Sequence, residues 1–95
     1  MFFVIRCIDK PDMLETRMAN MEPHKAYVST KPIKVLLSGP LTEDDGETII
    51  GSFFMVEADK RSDVERFQNN DPLFNAGIWA SVDVHAFVKR VDNRD

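Results

Sequence analysis

The 95-residue chain predicts an α+β fold in the order strand, helix, strand, strand, helix, strand. Three observations carry this expectation. Four short apolar stretches are rich in β-branched and aromatic residues, and two intervening stretches bear helix-start signals with apolar residues at helical spacing. A tight acidic loop joins the two middle strands. At this length the chain is taken as one domain, residues 1–95, near the lower limit of what buries its own core.

Residues 2–8 form the first apolar run, which Asp9-Lys10-Pro11-Asp12 ends while supplying helix-start residues. Leu14, Met18 and Met21 then fall on one helix face. The ring of Pro23 clashes with the carbonyl four residues back, so a kink or two helical pieces, 12–21 and 23–30, are expected. Residues 33–38 make the second strand, closed by Gly39-Pro40-Leu41. The loop Thr42 to Glu47, with Gly46 free to take a positive φ, turns the chain into a third strand at 48–57. Ser62 and Glu65 read as a capping box that starts a helix with Val64 and Phe67 inward. Asp71-Pro72 reads as an N-cap followed by proline in the first helical position; Gly77 ends that turn, and 79–88 alternate as a fourth strand. The charged tail from Lys89 to Asp95 is expected to fray. This order defines a ferredoxin-like βαββαβ unit, a four-stranded antiparallel sheet with both helices on one face.

Two helices cover one face only, yet both faces of the strands are apolar. Phe3, Ile5 and Cys7 oppose Phe2, Val4 and Ile8, and Ile50, Phe54 and Val56 oppose Ile49, Phe53 and Met55. Each large apolar side chain left in water forgoes about 1.5–3 kcal/mol. A homodimer that covers the second face is therefore expected, with higher homo-oligomers left open. In the last strand Trp79, Ser81, Asp83, His85 and Phe87 alternate against Ala80, Val82, Val84 and Ala86; pattern alone leaves open which set faces a partner.

A net charge of −4, with both signs interspersed, argues against a nucleic-acid partner. No stretch is apolar enough to span a membrane, and the amino-terminal run lacks a preceding basic segment and a cleavage site, so neither a membrane partner nor a signal peptide is expected. The lone Cys7 sits in an apolar run and suits a reducing, cytoplasmic setting. No phosphate loop, paired-cysteine motif or His-x-x-x-His spacing occurs, and no metal or cofactor is expected.

Arg17, Pro23-His24 with Tyr27, Gly39-Pro40-Leu41, Gly51-Ser52, and Asp71-Pro72 with Gly77 together resemble the pattern of the YciI-like (YCII-related) family from about residue 2 to residue 88. The resemblance implies a dimeric α+β barrel and an active site built on a His and an Asp, by position His24 and Asp71. Leu73, where the family often has Phe, departs from the pattern and is expected to reshape the pocket wall.

A carboxylate that holds one imidazole nitrogen raises basicity at the other, so His24 and Asp71 together suit proton transfer in isomerisation, elimination or hydrolysis. Arg17, seven positions before His24, suits a substrate carboxylate or phenolate. Ser38, with the amides after Gly39, suits an anionic intermediate, and Gly39-Pro40 shapes the pocket. The bland readings stand beside these: Asp71 is accounted for as an N-cap, Arg17 as a surface or ion-pairing residue, and Tyr27 and Trp79 as core or pocket wall. His85 has no sequence partner and is left outside the site. The function expected is a cofactor-independent acid–base enzyme acting on a small organic acid or aromatic-derived compound. The alternatives are a non-catalytic domain binding a small ligand and a purely structural dimerisation module. The start Met argues against the last.

Overall fold

The structure, a computed structural model, describes residues 1–94. Strand β1 spans Phe2–Asp9, β2 Lys34–Thr42, β3 Ile49–Glu57 and β4 Trp79–Phe87. They form one antiparallel sheet in the order β2-β3-β1-β4, the ferredoxin-like arrangement. Helices α1 (Leu14–Ala19) and α2 (Met21–Ser29) connect β1 to β2, and α3 (Arg61–Asn69) and α4 (Pro72–Asn75) connect β3 to β4. Phe3, Ile5, Cys7, Phe54 and Val56 of the sheet bury themselves with Val64 and Phe67 of α3.

The elements differ from the sequence expectation where local chemistry competes. The break between α1 and α2 falls at Asn20, upstream of Pro23. Proline is the third residue of α2, where its missing N–H has no intrahelical partner to lose, and the steric cost is moved into the preceding turn. Leu14 and Met18 do share a face, but they are 57% and 56% exposed, while Arg17 turns inward. The expected capping box is absent: α3 begins at Arg61, its N-cap is Lys60 without a side-chain bond, and Ser62 already lies inside the first turn. Asp71 caps α4 as expected, its carboxylate accepting from the Leu73 amide at 2.9 Å.

Strand β2 does not end at Ser38. It runs on through Gly39-Pro40 to Thr42, with Pro40 paired to Ser52. This strand is an edge, where a residue without an N–H costs no interior ladder bond. The turn beyond it is held by Asp45, which accepts from the amides of Glu47 and Thr48 and from the Thr48 hydroxyl. The hydroxyl bond, followed by the two amide bonds, holds its carboxyl below the usual range.

Two register slips occur at the same end of the sheet, one at Ala80 of β4 opposite Ile8 and Asp9, and one at Ile50 of β3 opposite Leu41 and Thr42. Each reverses the alternation locally. Trp79, expected beside Ser81, therefore packs against the helix-side core. Ile49, expected on the opposite face from Phe54, lines the same cavity as Phe54. Asp83 and His85 remain on the face away from the helices, both exposed, with Asp83 3.6 Å from Arg6 across the sheet. Residues 88–94 form no helix or strand, and Asp95 lies outside the described residues.

Candidate active site

The slipped end of the sheet lies under the α1–α2 connection. Between α1, α2 and the edge strand β2 lies a cavity of about 310 Å³. Arg17, His24, Ser38, Gly39 and Pro40, all anticipated from the sequence, line it together with Met18, Met21, Lys25, Ile49, Ser52 and Phe54. One unbroken helix was not needed to bring Arg17 and His24 together: the bend at Asn20 leaves both on the cavity side.

His24 Nδ1 lies 2.8 Å from Asp71 Oδ1, and the imidazole meets the edge of Phe54 with ring centroids 6.0 Å apart. Asp71 does not reach the cavity; it is 1% exposed behind the ring. The same Oδ1 accepts from Leu73, so the helix cap and the imidazole contact share one atom. An ionised carboxylate only accepts, which puts the proton on Nδ1 and leaves Nε2 as the basic atom. Nε2 makes no hydrogen bond within the described residues.

Arg17 is a buried cation, 2% exposed. Its Nη1 donates to both carboxylate oxygens of Asp9, at 3.0 and 3.1 Å, and its Nη2 donates to Ser52 Oγ at 2.5 Å. Burial of a guanidinium demands such a partner. These contacts hold Arg17 in place at the cavity wall and neutralise its charge locally. The expectation of amides after Gly39 needs correction. The first belongs to Pro40, which has no N–H. Ser38 Oγ is left as the side-chain donor of this stretch of β2, on an exposed residue.

Asp9 was missed by sequence reasoning, and Ser52 was seen only within Gly51-Ser52. Asp9 looked like a strand-ending turn residue, although strict alternation with Phe3, Ile5 and Cys7 already places it on the helix side. Leu73 and Phe74 do not reshape the cavity. Leu73 is 1% exposed in the interior, Phe74 packs against Trp79 at 6.4 Å, and neither lines the wall. Tyr27 stacks on Phe67 and donates to the Phe67 carbonyl at 2.8 Å, tying α2 to α3 away from the cavity; burial, then the Asp71 charge, pushes its phenol up. Cys7 is fully buried, and burial, aided by the Asp71 charge, pushes its thiol up to about 12, so it stays protonated and inert at neutral pH. Among the described residues no three His, Cys, Asp or Glu side chains gather as a metal site, and no helix is long and apolar enough to cross a membrane.

An α+β sheet with a buried carboxylate behind an imidazole at a cavity wall defines a small ferredoxin-like protein with acid–base groups in place. The sequence model of the YCII-related domain matches residues 1–88, and the chain belongs to that family. Its structure is similar to 5-chloro-2-hydroxyhydroquinone dehydrochlorinase (TftG) of Burkholderia phenoliruptrix AC1100, solved in complex with 2,5-dihydroxybenzoquinone. The two share 33% identity over 93% of this chain and 94% of that one, with a TM-score of 0.83. The fold alone is shared with an uncharacterized NIPSNAP domain protein from Burkholderia xenovorans, at 15% identity over 100% of each chain and a TM-score of 0.56. It is also shared with At3g17210 from Arabidopsis thaliana, at 12% identity over 98% of each chain and a TM-score of 0.54. No curated protein matches the chain by sequence.

Proposed function

We propose that this protein is an acid–base enzyme that eliminates a leaving group from a small hydroxylated ring. The observation that carries the reading is the 2.8 Å contact between His24 and the buried Asp71 at the wall of an otherwise largely apolar cavity. Phe54, Met18, Met21, Ile49 and Pro40 offer flat and polarizable surface for a ring. The likeness to a dehydrochlorinase favours elimination over isomerisation or hydrolysis. His24 Nε2 takes a proton from a ring hydroxyl and delivers one to the adjacent carbon that bears the halogen, which becomes tetrahedral beside a carbonyl; a second ring hydroxyl then loses its proton, its electron pair moves through the ring, and halide departs. The product is a quinone, the net loss is hydrogen halide, and no oxidant is consumed.

The test is turnover of 5-chloro-2-hydroxyhydroquinone, followed as chloride release, with binding of 2,5-dihydroxybenzoquinone titrated in parallel. Wild type is expected to release chloride and His24→Ala to lose at least about 100-fold in kcat, in the range of general acid–base catalysis, while keeping its fold by circular dichroism. Equal rates in wild type and His24→Ala would overturn the assignment. Quinone binding without turnover of any halogenated hydroquinone would favour the non-catalytic binding domain.

The reading includes a homodimer. Phe2, Val4, Ile8, Phe53, Met55, Leu37 and Phe87 lie on the sheet face that bears no helix. A twofold copy covers that face, opposite the helix side on which the cavity lies.

A further inference from the structure

Ser52 stands out among the residues around this cavity. Its side chain is 3% exposed and lines the cavity beside Phe54 and across the ladder from Pro40. The hydrogen bond with Arg17 has only one possible direction. A guanidinium has five donors and no acceptor, so Arg17 donates and Ser52 Oγ accepts. The serine proton is therefore left over, and no other hydrogen bond of this hydroxyl forms among the described residues. A buried hydroxyl with an unused proton at a cavity wall is a donor awaiting an acceptor.

The surroundings state what that acceptor is. Donation from a cation polarises the hydroxyl and strengthens it as a donor. Asp9 engages Arg17 through both its oxygens, which holds the guanidinium in place and leaves it no freedom to turn away from Ser52. Among the described residues the charged side chains lining the cavity are Arg17 and Lys25, and no carboxylate lines it. An oxygen that carries negative charge is therefore favoured over a neutral or cationic group.

We propose that Ser52 is a ligand-binding residue of this cavity, its hydroxyl donating to a phenolate or enolate oxygen of the bound ring, with Arg17 and Asp9 as its positioning residues. The proposal deepens the reading of the site as one for hydroxylated rings and rests on it. Gly51 contributes the depth: a Cβ there would lie 2.0 Å from the Cys7 carbonyl oxygen, so only glycine lets β3 approach β1 closely enough beside Ser52.

Two measurements decide it. Neutron diffraction from crystals of the unliganded protein is expected to place the Ser52 deuteron toward the cavity solvent; a deuteron aimed at a protein carbonyl or carboxylate overturns the proposal. Titration with the quinone is expected to show Kd raised about 10-fold or more in Ser52→Ala, the size of a lost hydrogen bond to a charged acceptor. Ser52→Cys, which keeps the size but donates weakly, is expected to fall between and serves if the alanine variant fails to fold. Unchanged affinity in a folded variant overturns the proposal. A wild type that binds no quinone sinks the substrate class instead, and the neutron map then decides Ser52 alone.

Discussion

Asp71 Oδ1 serves two bonds at once, capping α4 through the Leu73 amide and receiving the His24 ring. Capping was legible from Asp before Pro; the pairing with His24, 47 positions away, was expected only from the family resemblance, because no local pattern joins the two residues. The two roles separate in Asp71→Asn, which keeps a carbonyl oxygen for the cap but removes the charge that fixes the imidazole tautomer. We expect an unfolding midpoint within a few degrees of wild type and kcat lowered at least about 10-fold, since orientation and basicity are lost while the capping oxygen is retained. Equal losses of stability and rate would make Asp71 a structural residue only. Arg17 was read both as a substrate clamp and as a surface or ion-pairing residue; it is buried and paired with Asp9, because a buried cation must be neutralised locally.

The elements that make the site are α1, α2 and the ends of β2 and β3, and two slips of register at that end of the sheet turn Ile49 and Trp79 toward the helices. Strict alternation would have pointed Ile49 and Trp79 the other way. Bulges re-aim side chains at the cost of ladder bonds, and a one-residue slip is invisible in hydrophobic pattern. Gly51 is the residue on which the packing of this strand end turns. Gly51→Ala is expected to destabilise the fold by about 1–3 kcal/mol, because the added methyl meets backbone that cannot rotate away. Urea unfolding measures it, and a midpoint equal to wild type would show that β1 and β3 separate without cost.

At the level of the whole molecule, one face of the sheet is closed by four helices and the other by none. Leu37 and Phe87 are 37% and 36% exposed on the open face, beside Phe53 and Met55. Sedimentation at micromolar concentration is expected to show a dimer for wild type. Met55→Glu should shift it to monomer, since burying an unpaired carboxylate against an apolar copy costs several kcal/mol. A wild type that sediments as a stable monomer would remove the reason for a partner and leave the cavity, which lies within one chain, untouched.

From the sequence alone came the element order, the helix-side residues Val64 and Phe67, the Asp71 cap, the greasy second face, and the residues His24, Ser38, Gly39 and Pro40 that meet around one cavity. Those features follow from periodicity, turn chemistry and family pattern, which act over a few residues or repeat along the chain. Tertiary structure alone decided that Asp71 is buried and shares one oxygen between cap and imidazole, that Arg17 is paired with Asp9, and that Ser52 is left with a free proton. These depend on where distant strand ends are brought by bulges and a close glycine contact. Contacts between residues 35 or 47 positions apart carry no periodic mark in a linear chain; only packing assigns them.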